Sequence, residues 1–234
     1  SRSGLPRGVL NLVMGRGSVV GQTMLDSKDV NAISFTGSVE TGAKVAMACS
    51  GRGAKYQLEM GGKNPLVVLD DANIDAAVAA SIDGAFFQTG QRCTASSRLV
   101  VQSKVHDAFV EKMVTAMKSL KVDHALKEGT VVGPVVDENQ MAQDEKYIGI
   151  ARDEGGELAW GGERLNRDTK GHYLSPALFT NTKNEMRINR EEVFGPVASV
   201  IKVGSYDEAL AVANDTAFGL SSGIFTTSLK YATD

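Results

Sequence analysis

Cysteine is scarce in this sequence, which has only Cys49 and Cys93 among its 234 residues. The surroundings of the two cysteines differ too much to suggest a disulfide framework or a cluster of metal ligands, and such usage fits a reducing compartment. The three histidines, His106, His124 and His172, are scattered without the spacing of metal ligands. We therefore expect neither a disulfide nor a metal site.

Long apolar runs are missing too, as is an excess of charge of one sign. No stretch approaches the roughly 20 apolar residues that cross a bilayer, and the amino terminus lacks a secretory signal pattern. Twenty-five basic and 28 acidic residues give a net charge of -3, which argues against a nucleic-acid-binding surface. We expect a cytoplasmic protein without membrane or nucleic-acid partners, which binds small molecules or copies of itself.

The 42% apolar residues are ample for a buried core. Apolar runs of strand length alternate with longer segments of helical period, which predicts βαβ units and a parallel sheet in an α/β fold. The predicted strands are Ala32–Phe35, Leu66–Leu69, Arg98–Val101, Ala177–Phe179, Ala198–Val203 and Ser222–Phe225. The predicted helices are Val39–Cys49, Ile74–Phe87, Val105–Leu120, Asn139–Glu154 and Tyr206–Asp215. The glycines and charges of Gly161–Gly171 predict a surface loop.

One carboxylate and one thiol lie in short glycine-bearing runs, Glu59–Pro65 and Gly90–Thr94. Their residue types suggest a base, Glu59, and a nucleophile, Cys93. Without further context, the more common role of a free cysteine is that of a buried inert thiol, and an alternating strand glutamate usually faces solvent. Cys49, at the end of a helical run, is predicted to pack in a core and is assigned no chemistry.

A third run, Phe35–Gly42, has the pattern of a strand end, a glycine turn and a helix start capped by Ser38. Free amides at a helix start favour phosphate oxygens, although a plain structural turn is the more frequent case for such a run alone. A fourth run, Glu191–Pro196, combines two acids, an aromatic, a glycine and a proline, which predicts a rigid loop. Taken alone, its acids would be a solvated pair and Phe194 a core anchor.

In this order, the four runs resemble the signatures of the aldehyde dehydrogenase superfamily. The resemblance implies a Rossmann-like cofactor-binding domain, of which residues 1–61 would be the rear part, followed by a parallel-sheet catalytic domain at residues 62–234. Members of this family are roughly twice as long. Because the sequence starts at Ser1 and stops just after a predicted helix start, we expect it to be cut at both ends, with the catalytic domain truncated at its carboxyl end.

The resemblance also implies a mechanism and site residues. Cys93 would attack the aldehyde to give a thiohemiacetal, whose collapse transfers hydride to NAD or NADP and leaves a thioester for water to cleave. Glu59 would be the general base. The residues expected to contact the cofactor are Gly37, Ser38, Gly42, Glu192 at a ribose and Phe194 at the nicotinamide. The choice between NAD and NADP stays open, because the residue that reads the 2′ position would precede this chain.

Within the superfamily, four runs are most similar to 2-oxoglutarate semialdehyde (2,5-dioxovalerate) dehydrogenases: Gly90–Leu99, Ser175–Phe179, Met186–Arg190 and Ser228–Thr233. Another semialdehyde dehydrogenase, a broad aliphatic aldehyde dehydrogenase and a catalytically incompetent fragment that keeps the fold are the alternatives. The intact parent is expected to be a homo-oligomer, a dimer or tetramer. Arg92, the arginine adjacent to Cys93, could bind a substrate carboxylate or stabilise the thiolate, but a salt bridge elsewhere is the expected role.

Overall fold

The computed structural model describes residues 4–234, so the first three residues of the predicted amino-terminal domain lie outside the described residues. The chain divides into two compact units, the first ending at Met60 and the second comprising Gly61–Asp234. No helix in the described range 4–234 is long and apolar enough to cross a membrane.

The first unit is a short βαβ arrangement preceded by a helix. Its elements are α1 (Gly17–Asp26), β1 (Ala32–Gly37), α2 (Val39–Gly51) and β2 (Lys55–Met60). The two strands pair in parallel, with Gly37 opposite Met60 at their carboxyl ends. Cys49 is fully buried in α2, as its apolar surroundings predict. Helix α1, which was not predicted, has no buried residue.

The second unit contains a six-stranded, mostly parallel sheet. The strands are β3 (Pro65–Val68), β4 (Arg98–Gln102), β5 (Glu157–Trp160), β6 (Arg164–Leu165), β7 (Tyr173–Leu174), β8 (Ala177–Thr182), β9 (Val197–Val203) and β10 (Gly223–Phe225). The sheet order is β10-β3-β4-β9-β8-β5, and every pair is parallel except β5 with β8. The predicted α/β class is confirmed. The antiparallel edge strand β5 and the β6-β7 pair, which includes two residues of the predicted 161–171 loop, were not predicted.

Helices cover both faces of this sheet. They are α3 (Ile74–Phe86), α4 (Ser103–Lys118), α5 (Glu138–Asp153), α6 (Arg187–Arg190), α7 (Tyr206–Asn214) and α8 (Leu229–Thr233), with a 3₁₀ segment at Phe87–Gly90. In β4, Leu99 and Val101 face a core that contains Phe109 of α4, whereas Val100 packs in a second core with Ala209 of α7. Burial on both faces explains why the central strands are continuous apolar runs.

Arg98, the first residue of β4, is completely buried. Its Nε donates to Lys63 O at 3.2 Å, and its terminal nitrogens donate to Asn184 Oδ1 at 2.8 Å and to the carbonyls of Val212 and Ala213 at 2.9 Å. The last two carbonyls belong to the final turn of α7, where a cation is favourable. Arg98 thus fixes the sheet to α7 directly after the segment that carries Cys93.

Candidate active site

Cys93 lies in an exposed turn between the 3₁₀ segment and β4. Three consecutive residues before it have left-handed backbone conformations: Gln88 with φ 52°, Thr89 with φ 61° and Gly90 with φ 66°. Such conformations are unfavourable for residues with a side chain, by about 1–3 kcal/mol each, and persist only where surrounding contacts hold them. The turn therefore presents the thiol to solvent on a backbone that the rest of the structure has to constrain.

Gly90 brings this turn against the 191–196 loop. A Cβ atom on Gly90 would lie 2.2 Å from Gly195 O, which is far inside van der Waals contact. Together with its positive φ, this close approach requires glycine at position 90. Two of the runs singled out in the sequence, Gly90–Thr94 and Glu191–Pro196, are thus in direct backbone contact.

Arg92 holds the turn to the end of α3. Its Nη2 atom donates to the carbonyls of Asp83 at 2.7 Å and Gly84 at 2.8 Å, and its guanidinium lies 5.6 Å from the ring centroid of Phe87. Within residues 4–234 it forms no salt bridge, so the expectation of a salt bridge is wrong. The carboxyl-terminal carbonyls of α3 take that place because they are the nearest acceptors and carry the negative end of the helix dipole.

Asn64, to which no role was assigned from the sequence, also holds the turn of Cys93. Its Nδ2 donates to Cys93 O at 2.8 Å and to Ala95 O at 3.0 Å, and its Oδ1 accepts from Ser221 N at 3.0 Å. The side chain is buried, with 2% of its surface exposed. Asn64 therefore connects the turn of Cys93 to two other segments of the second unit.

Gly61 and Gly62 serve close packing. Neither residue has a positive φ, so a left-handed backbone is not the reason for glycine at these positions. A Cβ on Gly61 would lie 2.0 Å from Glu192 Oε2, and a Cβ on Gly62 would lie 2.8 Å from Cys93 O. Glycine is needed at position 62, where a backbone carbonyl occupies the space of a side chain, whereas at position 61 it leaves room for the Glu192 carboxylate.

Glu192 is half-buried against this glycine pair. Its Oε1 accepts from Gly62 N at 3.1 Å. Burial raises the pKa of Glu192, while the Gly62 amide and the Lys63 ammonium lower it. Lys63 itself is only 2% exposed; burial first, and then the Arg98 charge, lower the pKa of Lys63 to about 7, against the opposing effect of Glu192 and Glu191.

Glu191 differs from its neighbour in its partners. Its carboxylate accepts from Arg187 Nε at 2.8 Å and from the Tyr147 hydroxyl. These hydrogen bonds, with Arg187 contributing most, lower the pKa of Glu191. The two acids are thus not an equivalent solvated pair: Glu191 fastens the loop to α5 and α6, and Glu192 reaches the glycine pair.

Phe194 occupies a left-handed conformation with φ 61° and is 38% exposed. A core anchor would be buried, so the side chain of Phe194 is free for another role. The next residue, Gly195, packs on Asp144 of α5: a Cβ on Gly195 would lie 2.0 Å from Asp144 Oδ1. Gln140 and Gln143 of the same helix both donate to Val193 O, at 3.0 Å and 2.7 Å. Side chains of α5 therefore set the path of the 191–196 loop.

Asp144 is fully buried, and its Oδ2 has no hydrogen-bond partner among the described residues. Its Oδ1 accepts from Gln140 Nε2 at 2.8 Å. Burial raises the pKa of Asp144 to about 7; the Glu145 charge adds to this effect, and the Gln140 hydrogen bond opposes it. The carboxyl group is therefore protonated in the folded chain at mildly acidic pH.

The raised pKa of Asp144 predicts a pH-dependent stability. Below about pH 3 the carboxyl is protonated in both states; as the pH rises to about 7, the unfolded chain ionises first and the folded state loses stability. In the wild-type chain, ionisation of Asp144 should lower the free energy of unfolding by roughly 2–3 kcal/mol between pH 5 and pH 8. We expect Asp144→Asn to remove this decrease, as measured by urea denaturation at each pH. Asp137→Asn, at the exposed cap of the same helix, should keep the wild-type slope; equal slopes for all three proteins would contradict the assignment.

The remaining predicted site residues lie in the first unit. Glu59 is exposed on β2 and is paired in register with Thr36 of β1, the residue before Gly37. Ser38 caps α2 as predicted, since its Oγ accepts from Thr41 N at 3.3 Å. The structure thus brings Glu59 to the same sheet edge as the Phe35–Gly42 run, at the carboxyl ends of two parallel strands.

The two glycines of that run lie in close contacts. A Cβ on Gly37 would lie 2.5 Å from Cζ of Phe35, and a Cβ on the buried Gly42 would lie 2.4 Å from Sδ of Met60. Gly42 therefore lets α2 approach β2. By helix geometry, the first N–H groups of α2 have no acceptor within the helix. Free N–H groups at an exposed helix start are favourable partners for anions.

The chain is similar in sequence to the members of one known enzyme family. The model of the aldehyde dehydrogenase family matches residues 1–234. The chain is 50% identical to the α-ketoglutaric semialdehyde dehydrogenase of Bacillus subtilis over 96% of this chain and 46% of that protein. It is 42% identical to a betaine aldehyde dehydrogenase of Mesorhizobium japonicum over 99% of this chain and 48% of that protein.

Solved structures of aldehyde dehydrogenases have a similar fold. The crystal structure of betaine aldehyde dehydrogenase from Staphylococcus aureus in complex with NAD⁺ matches 99% of this chain and 46% of its own, with a TM-score of 0.95 and 36% identity. An NAD-dependent aldehyde dehydrogenase from Sinorhizobium meliloti matches the same shares with a TM-score of 0.96 and 36% identity. The chain thus spans about half the length of the relatives it matches.

Proposed function

Because the chain belongs to the aldehyde dehydrogenase family, we propose that it carries the nucleophile and the general base of an NAD-dependent aldehyde dehydrogenase. The observation that carries this proposal is the exposed Cys93 in a strained turn held by Asn64 and Arg92. An inert structural cysteine is normally buried, like Cys49. In this proposal, residues up to Gly61 form the rear of the cofactor-binding domain, and the rest forms part of the catalytic domain.

The proposed reaction uses two side chains of this chain. Glu59 removes the proton of the Cys93 thiol, and the thiolate attacks the aldehyde carbon, forming a C–S bond and an alkoxide. With a nicotinamide cofactor bound, collapse of this alkoxide would release hydride to the nicotinamide and leave the acyl group on Cys93 as a thioester. Glu59 passes this first proton to solvent and, again ionised, takes a proton from the water that cleaves the thioester; the carboxylate leaves and the thiolate of Cys93 is protonated to the free thiol.

The cofactor proposed is NAD, because similar structures contain NAD⁺. The first turn of α2 would receive a phosphate, with Gly37 and Ser38 at its start. Glu192 would accept a hydrogen bond from a ribose hydroxyl, and Phe194 would border the nicotinamide. The half-buried position of Glu192 and the exposure of Phe194 are consistent with these roles.

The substrate we propose is 2-oxoglutarate semialdehyde, a short aldehyde with a carboxylate at its far end. The supporting observation is the 50% identity with an α-ketoglutaric semialdehyde dehydrogenase, against 40–42% with the betaine aldehyde dehydrogenases of Bacillus subtilis and Mesorhizobium japonicum. The two substrate classes carry opposite charge: the semialdehyde ends in a carboxylate, and betaine aldehyde ends in a quaternary ammonium. Charge at the far end is therefore the property that separates these proposals.

The test compares kcat/KM in a full-length enzyme that contains this chain. We expect 2-oxoglutarate semialdehyde to exceed both betaine aldehyde and an uncharged aldehyde of similar length by about 10²-fold or more, because a desolvated carboxylate requires a cationic or hydrogen-bonding partner. Preference for betaine aldehyde would assign the chain to that class instead. Equal rates with all three would show a general aldehyde dehydrogenase without a site for charge.

A further inference from the structure

The side chain of Asn64 is fully used. Both hydrogens of its amide point to carbonyl oxygens, those of Cys93 and Ala95, and its oxygen accepts from Ser221 N. Only one orientation of the amide satisfies all three partners, because two are acceptors and one is a donor. Asn64 is therefore a specific element of this arrangement, which an aspartate of the same shape could not replace.

The two carbonyls that Asn64 binds belong to the turn of Cys93. This turn is closed by a hydrogen bond from Ala95 N to Arg92 O at 3.1 Å. The bonds of Asn64 therefore fix the peptide groups that follow Cys93 and Ala95, and the first of these sets the direction in which the Cys93 side chain leaves the backbone. Residues 88–90, which have left-handed conformations, lie just before this turn. For Gln88 and Thr89 such conformations are unfavourable, so surrounding contacts have to hold them.

We propose that Asn64 is a positioning residue for the nucleophile: its side-chain amide holds the backbone of Cys93 in the orientation from which the thiolate attacks the aldehyde. This inference rests on the function proposed above. Asn64 does not touch the reacting atoms; it acts through the carbonyl of Cys93. Misplacement of a reacting group by about 1 Å can lower a rate by about 10²-fold.

The test uses three variants of the full-length enzyme. Asn64→Asp keeps the shape but replaces the donors by a carboxylate facing two carbonyls, Asn64→Ala removes the group, and Asn64→Ser retains one hydroxyl donor. We expect kcat to fall by about 10²-fold for the aspartate and alanine variants and by about tenfold for the serine variant. The Kd for NAD should stay within about twofold of wild type.

Asn189→Asp is the matched control, because Asn189 is also fully buried and its Nδ2 donates to a backbone carbonyl, Lys183 O, at 2.8 Å. This variant should lower the melting temperature yet keep kcat within about threefold. All rates are measured well below each melting temperature. If the aspartate variant does not fold, the serine and alanine variants alone decide the question.

The proposal is overturned if the serine variant is as slow as the alanine variant, or if Asn189→Asp lowers kcat as much as the changes at Asn64. Either result would mean that loss of packing, and not loss of the donor, causes the defect. Cys93→Ala is assayed alongside: if it retains activity, the proposed function itself has failed. If it is inactive while all Asn64 variants are normal, only the positioning role is wrong.

Discussion

Replacing Cys93 by serine in the full-length enzyme is expected to lower kcat by at least about 10⁴-fold, because an alcohol is a far weaker nucleophile than a thiol near neutral pH. Serine is close in size to cysteine, and the thiol is exposed, so the change leaves the surrounding turn intact. The measurement is the steady-state rate of NADH formation, with the Kd for NAD determined separately. That Kd should be unchanged.

Cys49→Ser is the control for this substitution. It makes the same chemical change in a cysteine that is fully buried in α2. We expect reduced stability, since a buried hydroxyl needs a hydrogen-bond partner, with kcat within about twofold of wild type. If the Cys93→Ser enzyme turns over at the wild-type rate, Cys93 is not the nucleophile.

Glu59→Gln is expected to slow turnover by roughly 10²–10⁴-fold, the range for loss of a positioned general base. Glutamine has the shape of glutamate but cannot accept a proton at neutral pH. Because Glu59 is exposed on β2 and accepts only a weak hydrogen bond of 3.5 Å from Gln57 Nε2 among the described residues, the substitution should leave the fold unchanged. Affinity for NAD should also be unchanged.

The control is Glu157→Gln, which removes another exposed glutamate from a strand, β5. That variant should have wild-type kcat. A Glu59→Gln enzyme with normal turnover would exclude Glu59 as the base, even if Cys93 proves essential. The two substitutions therefore test the two roles independently.

Most of the sheet could be predicted from the sequence, because strands buried on both faces leave continuous apolar runs such as Leu66–Leu69. Helix ends agreed to within two residues, as with Val105–Leu120 against the observed Ser103–Lys118. Strand β5 was missed because it is a half-exposed edge strand of four residues whose apolar run, Leu158–Trp160, is only three residues long. Its antiparallel direction depends on the path of the chain, which a local pattern does not contain.

The contacts of the candidate site were less accessible from sequence. Asn64 bonds to partners 29, 31 and 157 residues away, and no local pattern reports such distances. Asp144 lies in a polar helix, where an aspartate is expected to face solvent; only the packing of Gly195 on it reveals its burial. The four signature runs indicated which segments form the candidate site. Why a glycine occurs at a given position became clear only from the atoms that lie next to it in the folded chain. The roles of Cys93 and Glu59 stay predictions.

Trapping the covalent intermediate tests the role of Cys93 as the nucleophile directly. The Glu59→Gln enzyme, which should hydrolyse a thioester slowly, is mixed with NAD and 2-oxoglutarate semialdehyde, quenched in acid and digested for peptide mass spectrometry. We expect an acyl adduct on the peptide that contains Cys93 and none on the peptide that contains Cys49. Without NAD the adduct should be absent, because the thiohemiacetal formed in that case reverses on quenching. An adduct on any other residue, or turnover with no adduct at Cys93, would contradict this role.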